Sequence, residues 1–121
     1  MKKILIVDDQ FGIRILLKEI LEREGYSVFQ AANGRQAMTI VENSSPHLVL
    51  LDLKLPGISG IEILKQMKKI EPNILTIMMT AYEELSLIDE TKRYGAIAHF
   101  AKPFDIVKMR EVIKEVLSYT L

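Results

Sequence analysis

Short apolar runs alternate along this chain with longer segments in which apolar residues recur every three or four positions. The runs are too short for buried helices and predict five strands at residues 4–7, 27–31, 48–51, 74–79 and 97–101. The intervening segments have the 3.6-residue period of amphipathic helices and cover residues 11–24, 35–41, 61–72, 83–94 and 105–118. The pattern therefore predicts five strand–helix units in strict alternation.

This alternation predicts an α/β fold with a parallel sheet that is covered by helices on both faces. Because crossovers between parallel strands are right-handed, the simplest arrangement is a doubly wound, flavodoxin-like sheet of order 2-1-3-4-5. Five strands are too few for an eight-stranded barrel. In the predicted order, the chain reverses its direction of winding between the first and third strands, and ligands bind beyond the carboxyl ends of strands at such a point.

The first helix has an apolar stripe on one face and an unexpected apolar residue on the other. The predicted core-facing positions are Ile13, Leu16, Leu17, Ile20 and Leu21. Ile15 falls on the opposite face of the helix, among charged residues, and should be exposed to water. We interpret Ile15, together with the apolar start of this helix, as part of a docking surface for helices of a partner protein.

Composition narrows the class of protein. A length of 121 residues predicts one domain, 1–121, with no second domain. Lys plus Arg and Asp plus Glu are balanced at 16 each, so no net field favours nucleic acid or a membrane surface. The absence of cysteine excludes disulfides and agrees with a cytoplasmic location. The first apolar run stops after four residues, so it predicts neither an export signal nor a membrane span.

Acidic residues end two strands that the predicted topology makes neighbours. Asp8 and Asp9 follow the first strand, and Asp52 ends the third. Taken singly, Asp8 and Asp9 could cap a helix, and Asp52 could cap a turn. Together they place three carboxylates in one crevice, where they repel each other unless protons or a cation intervene. Because no His or Cys lies at these strand ends, the oxygen ligands predict Mg²⁺.

Two further strands end at the same rim with groups that bind anions. The fourth strand ends on Thr80 and the Ala81 backbone N–H, and the fifth ends on Lys102. Thr80 could instead cap the next helix, and Lys102 could be solvated. With Asp52 as the nucleophile, the set predicts a phosphoryl-transfer site. No nucleotide-binding glycine motif is present, so the phosphoryl group should arrive on a partner or a small donor.

Over its whole length the chain resembles the receiver domains of two-component response regulators, which have a CheY-like fold. The matching residues are Asp8-Asp9, Asp52 with the following LKLPGISG, Thr80-Ala81 and Lys102-Pro103-Phe104. The resemblance implies that Asp52 receives a phosphoryl group from the phosphohistidine of a sensor histidine kinase. It makes the protein an enzyme in the limited sense that it catalyses its own His-to-Asp phosphoryl transfer.

The resemblance also assigns a metal site. Asp9 and Asp52 would ligate Mg²⁺ directly, Asp8 would act through a water molecule, and the backbone carbonyl of Lys54 would complete the protein ligands. The cofactor that the resemblance implies is therefore Mg²⁺ alone.

The remaining assignments concern the phosphoryl group and its consequences. Thr80 and Lys102 would bind phosphoryl oxygens, and the Lys102–Pro103 peptide bond is expected to be cis. The family usually carries an aromatic switch residue three positions before the lysine, where this chain has His99. Two interpretations stay open: His99 acts as the switch, together with Pro103, or the protein works without a large rearrangement.

The DDQFGIR, LLDLKLPGISGIEIL and FAKPFDI runs are most similar to the single-domain sporulation phosphorelay regulators of spore-forming bacteria. The chain ends directly after its fifth predicted helix, so no output domain is expected. This subtype passes its phosphoryl group to a histidine on a four-helix-bundle phosphotransferase, and an aspartyl-phosphate phosphatase is a further candidate partner. The expected partner contacts are Gln10, Gly12, Ile13, Arg14, Ile15, Leu16, Lys54, Tyr82 and Phe104. Lys54 and Tyr82 are also expected to exclude attacking water from the acyl phosphate.

Three other readings of the same residues compete with a relay. A dehalogenase-like phosphatase also uses a strand-end Asp with Mg²⁺, but it needs a second acid where this chain has Lys54. A chemotaxis-type docking regulator would change its binding on phosphorylation without passing the group on. A degenerate receiver that serves only as an interaction module would not need the intact acidic set, because grouping these charges costs free energy of folding.

Overall fold

In a computed structural model, the described part of the chain is residues 1–118, with backbone only at residues 82 and 83. Within it, five parallel strands form one sheet of order β2-β1-β3-β4-β5. The strands are β1 Lys3–Val7, β2 Ser27–Ala31, β3 Leu48–Asp52, β4 Leu75–Thr80 and β5 Ala98–Ala101. The predicted doubly wound α/β fold is confirmed.

Helices follow the strands along the chain. They are α1 Phe11–Arg23, α2 Gly34–Ser44, α3 Gly60–Ile70, α4 Ile88–Arg93 and α5 Ile106–Ser118. The predicted single helix over residues 83–94 is wrong in its first half, because Tyr82–Leu87 forms a 3-10 helix before α4 begins. In the tighter 3-10 geometry the backbone N–H of Glu84 donates to the Ala81 carbonyl at 3.0 Å, three residues back.

The core has two parts, one on each face of the sheet. Alternate residues of a strand point to opposite faces, so β1 sends Leu5 and Val7 to one side and Ile4 and Ile6 to the other. The first side packs on apolar residues of α2 and α3, and the second on those of α1 and α5. Both faces of the central strands are therefore dry, as expected of a parallel sheet.

Helix α1 presents a narrower stripe to the core than its sequence predicts. Leu17 and Leu21 are buried, and Ile13 packs against the same cluster. Leu16, which was assigned to the core-facing stripe, is 47% exposed, so that assignment is wrong. The buried positions follow a strict four-residue spacing, and Leu16 lies about 100° away around the helix. Ile15 is 40% exposed, as predicted.

The loop after β3 returns closely on the strand that it leaves. A Cβ atom on Gly60 would lie 2.3 Å from the backbone oxygen of Asp52 and 2.7 Å from Cα of Leu53. Only glycine fits there, and its N–H donates to the Leu53 carbonyl at 2.8 Å. Ser59 caps α3 by accepting a hydrogen bond from the Glu62 N–H. The loop therefore holds the end of β3, and Asp52 with it, in a defined position.

None of the helices in residues 1–118 has both the length and the apolar character that crossing a membrane requires.

Candidate active site at the carboxyl edge of the sheet

Three carboxylates meet where β1 and β3 end. These strands pair with Val7 opposite Leu51, so the residues that follow them lie side by side. Within the described chain, Asp8, Asp9 and Asp52 each offer an oxygen atom, and these atoms lie within 4.8 Å of one another. Asp8 is fully buried and Asp52 is 4% exposed, whereas Asp9 is exposed.

Lys102 joins this group from the end of β5. Its Nζ lies 2.9 Å from Oδ2 of Asp8 and 3.3 Å from Oδ2 of Asp52. It also lies 3.3 Å from Oε1 of Gln10. The Lys102–Pro103 peptide bond is cis, as the resemblance implies. One ammonium group thus contacts carboxylates from two different strands.

The start of α1 holds Asp8 in place. The backbone N–H of Gln10 donates to Oδ1 of Asp8 at 2.8 Å, and Nη1 of Arg14 donates to the Asp8 backbone oxygen at 2.7 Å. With Lys102 on Oδ2, both carboxylate oxygens of Asp8 accept hydrogen bonds. Sequence reasoning assigned Gln10 and Arg14 to a partner surface and missed these contacts. The two-residue spacing between Asp8 and Gln10, typical of an Asx turn, is the signal that predicts the first of them.

The surroundings of Asp52 change its pKa. Burial, followed by the negative charge of Asp8, raises the pKa of Asp52 from 3.8 to about 6, against the opposing effects of Lys102 and the Lys54 N–H. Burial by itself lowers the pKa of Lys102, but its hydrogen bond to Asp8 and the charge of Asp52 outweigh burial and raise it. Lys102 therefore stays protonated, and one ammonium does not neutralise the carboxylates around it.

This excess of negative charge fits a divalent cation. The donor set consists of carboxylate oxygens, the ligands that Mg²⁺ prefers, and the exposed Asp9 gives the site access to solvent. Burial is the first cause of the raised pKa of Asp52, and the uncompensated negative charge of Asp8 is the second.

Thr80 ends β4 and Ala81 follows it, but their polar groups bond to partners other than Asp52. Thr80 is fully buried, and its hydroxyl donates to the backbone oxygen of Phe100 at 3.5 Å. The Ala81 N–H donates to Oε1 of Glu84 at 2.8 Å. Sequence reasoning placed both groups at the rim without these partners, and it missed Glu84. A Glu three residues after the N-cap of the 3-10 helix is the signal that could have found it.

A cleft opens between these strand ends. Among the described residues, its lining does not include Thr80. The residues that line it are Asp9, Gln10, Asp52, Lys54, Leu55, Pro56, Ala81, Glu84 and Lys102. Of the five residues predicted to carry the chemistry, Asp9, Asp52 and Lys102 line the cleft, and Asp8 contacts Lys102. The fifth, Thr80, is buried and does not line it.

The expected partner contacts fall into three groups. The exposed ones are Gln10, Gly12, Ile15, Leu16 and Lys54, and of these Gln10 and Lys54 line the cleft. Half-buried ones are Ile13, Arg14 and Phe104, and Phe104 packs on the core. His99 and Pro103, the candidate switch residues, are both exposed, and His99 lies on β5. The side chain of Tyr82 lies outside the described residues.

Comparison with known proteins settles the family. The family described as the response regulator receiver domain matches residues 4–114. The chain belongs to this receiver family. It is therefore not a dehalogenase-like phosphatase, the first of the competing readings.

Individual relatives of this receiver domain cover nearly all of it. Sporulation initiation phosphotransferase F of Bacillus subtilis is 61% identical over 116 residues, which are 96% of this chain and 94% of the relative. Chemotaxis protein CheY of Thermotoga maritima is 34% identical, over 95% of this chain and 97% of the relative. A CheY-like receiver domain protein from Methanospirillum hungatei superposes with a TM-score of 0.92 at 39% identity, covering 98% of this chain and 94% of that one.

Proposed function

We propose that this receiver domain accepts a phosphoryl group on Asp52 from the phosphohistidine of a sensor histidine kinase and passes it to a histidine of a four-helix-bundle phosphotransferase. The observation that carries the proposal is the meeting of Asp52 with Asp8, Asp9 and Lys102 in one cleft. The relative named a sporulation initiation phosphotransferase supports a relay that controls sporulation. We also propose that the protein acts in the cytoplasm and that its partners bind to the surface of the receiver domain itself.

In the transfer step, a carboxylate oxygen of Asp52 forms a bond to phosphorus while the P–N bond of the phosphohistidine breaks. The electron pair of that bond stays on the imidazole nitrogen. The Lys54 N–H lies 3.4 Å from Oδ1 of Asp52 and the Lys102 ammonium 3.3 Å from Oδ2, so the carboxylate is held by contacts to both oxygens. Lys102 then neutralises charge on a phosphoryl oxygen. Onward transfer is the same reaction in reverse, with a different histidine.

Mg²⁺ bound at this site would neutralise charge on the phosphoryl group during transfer. Asp9 and Asp52 are the residues proposed to ligate it directly, with Asp8 acting through water and the Lys54 carbonyl as a further ligand. The hydrogen bonds on both carboxylate oxygens of Asp8 support its indirect role, because Asp8 is already committed to Gln10 and Lys102.

The partner proteins are proposed to dock on the start of α1. Phe11 is 67% exposed, Leu16 47% and Ile15 40%, and this helix begins beside the cleft. An exposed apolar helix face beside a reacting aspartate suits helices of a kinase or phosphotransferase, which must bring a histidine to Asp52. An aspartyl-phosphate phosphatase would use the same approach.

Two hypotheses concern the fate of the phosphoryl group. Lys54 is exposed at the cleft, where its side chain can shield the acyl phosphate from water, and Tyr82 is proposed to do the same. Thr80 is proposed to turn its hydroxyl from Phe100 toward the phosphoryl group, and His99 with Pro103 to report that change. Rotation of Thr80 breaks only one long hydrogen bond of 3.5 Å.

The alternative is a docking regulator that changes its binding on phosphorylation but does not pass the group on. The similarity to chemotaxis proteins over nearly the whole chain supports this alternative. Purified protein labelled with radioactive phosphate on Asp52 is mixed with a candidate histidine phosphotransferase. A relay predicts that label moves to the partner's histidine, and the Asp52→Asn variant takes up none. Label that stays on Asp52 while the partner binds would support the docking regulator instead.

A further inference from the structure

Glu84 makes a contact at the active site that the proposed chemistry does not use. Its carboxylate accepts a hydrogen bond from the Ala81 N–H at 2.8 Å. In return, the Glu84 backbone N–H donates to the Ala81 carbonyl at 3.0 Å, so the two residues close the first turn of the 3-10 helix. Glu84 is only 9% exposed, which shows that its side chain folds back onto the protein.

The contact between Ala81 and Glu84 lies at the cleft where a phosphoryl group would bind. Ala81 directly follows Thr80 at the end of β4, and both Ala81 and Glu84 line the cleft that contains Asp52 and Lys102. The sequence predicts that the Ala81 N–H binds an anion at this rim, and in the proposed function that anion is the phosphoryl group on Asp52. A carboxylate oxygen, which resembles a phosphoryl oxygen in charge and in hydrogen bonding, already occupies that donor.

We propose that Glu84 is an internal competitor of the phosphoryl group: its carboxylate occupies the Ala81 amide and has to leave when Asp52 is phosphorylated. The inference rests on the proposed function and concerns regulation of the same site. One N–H donates one strong hydrogen bond, so the two acceptors exclude each other. A phosphoryl group also brings about 1.5 to 2 negative charges, which repel a carboxylate held on the same donor.

A purely structural role for Glu84 makes the opposite prediction. A Glu at the third position of a helix often accepts a hydrogen bond from the N-cap N–H, and this stabilises the first turn. If Glu84 did only that, its removal would loosen the turn and would weaken, or leave unchanged, the binding of a phosphoryl group. A competitor predicts that binding becomes tighter, which loss of a stabilising cap cannot produce.

The test uses Mg²⁺ with beryllium trifluoride, an anion that bonds to a carboxylate oxygen and copies the shape and charge of a phosphoryl group. The variants are Glu84→Ala, which frees the amide, and Glu84→Gln, which keeps an acceptor but removes the charge. Asp89→Ala is the matched control, because it removes an exposed acid from the next helix. Binding is followed through the Ala81 amide resonance in ¹⁵N-labelled protein, which also reports whether each variant is folded.

We expect Glu84→Ala to bind the anion about tenfold more tightly than the wild type, the equivalent of one charge-assisted hydrogen bond that no longer has to be broken. Glu84→Gln should lie between the two, and Asp89→Ala should match the wild type. Without the anion, the Ala81 amide proton of Glu84→Ala should shift upfield, because it has lost its acceptor.

Unchanged or weaker binding in folded Glu84→Ala and Glu84→Gln would overturn the role of Glu84 and leave the proposed function standing. Failure of the wild-type protein to bind the anion at Asp52 would count against the proposed function itself. The two failures are distinguishable, because the first is a comparison between variants that all bind.

Discussion

The Lys102 ammonium lies 3.3 Å from the Asp52 carboxylate, although the two residues are 50 positions apart in the chain. The same nitrogen lies 2.9 Å from Asp8, so it links the ends of β5, β3 and β1. Its positive charge is the main one available to Asp52 and lowers the pKa of that carboxyl against the effects of burial and of Asp8. This relationship leads to the first prediction, and the others concern the groups around it.

Replacing Lys102 by Met should keep the apolar stem and remove the charge. We expect the pKa of Asp52, about 6 in the wild type, to rise further. Phosphorylation of Asp52 by a small phosphodonor should slow by about 100-fold, because the Lys102 charge that stabilises the transferred phosphoryl group is lost. Carboxyl NMR titration and the appearance of an adduct of about 80 Da measure these two effects. Lys108→Met, at an exposed position of α5, is the control and should change neither.

The raised pKa of Asp52 predicts that the free energy of unfolding decreases as the pH rises. The folded protein binds this proton more tightly than the unfolded chain, since the pKa is about 6 rather than 3.8. The stabilisation that comes from protonated Asp52 is therefore complete below about pH 4, and it is lost as the pH rises through 6.

Without divalent cations at neutral pH, Asp52→Asn should accordingly increase the free energy of unfolding by about 1 to 2 kcal/mol, a gain reduced by solvent at the cleft. The gain should disappear near pH 4, which urea unfolding at the two pH values measures. An equal difference at both values would contradict the charge argument. Asp89→Asn, at an exposed site, should show no pH-dependent gain.

Removal of Asp9 should abolish most of the stabilisation by Mg²⁺. A ligand that binds only the folded state at about 100 times its dissociation constant adds about 2.7 kcal/mol to the free energy of unfolding. Because Asp9 is exposed, Asp9→Asn should fold normally and lose most of this gain. Thermal unfolding with and without Mg²⁺ measures the difference, and full stabilisation of the variant would exclude Asp9 as a direct ligand. Asp89→Asn again serves as the matched acid.

The surface of α1 should affect transfer between proteins and not the chemistry at Asp52. Ile15→Ala should leave phosphorylation by a small donor unchanged and slow transfer to a histidine phosphotransferase by about tenfold, which corresponds to about 1.4 kcal/mol of lost contact. Ile70→Ala is a close control, since Ile70 is 41% exposed and Ile15 40%. Equal slowing by both variants would remove the case for a docking surface on α1.

Lys54 should protect the acyl phosphate from water. In Lys54→Asn a shorter side chain replaces the lysine at the cleft, and hydrolysis of the phosphorylated protein should accelerate by about tenfold, equivalent to about 1.4 kcal/mol of barrier. The loss of radiolabel from isolated phosphoprotein gives the rate, with Lys108→Asn as the control. A rate no faster than that of the wild type would disprove the hypothesis.

Much of the architecture follows from the sequence, because burial on both faces of a parallel strand leaves a continuous apolar run that is difficult to mistake. The run before Asp52 and the runs before Asp8 and Thr80 place these residues at one edge of the sheet once right-handed crossovers are assumed. Helix α1 was harder to predict. Its four-residue spacing is compatible with a broad or a narrow buried stripe, and the packing of neighbouring elements decided that Leu16 faces solvent.

The sequence by itself determined the five-unit fold, the edge of the sheet at which the candidate site lies and the residue types there, because these depend on local periodicity and chain order. The tertiary structure alone decided how the polar groups pair. Thr80 bonds to Phe100, and the Ala81 amide to Glu84. Lys102 contacts both Asp8 and Asp52. Such choices depend on differences of a few tenths of an ångström between competing acceptors, which no pattern along the chain encodes.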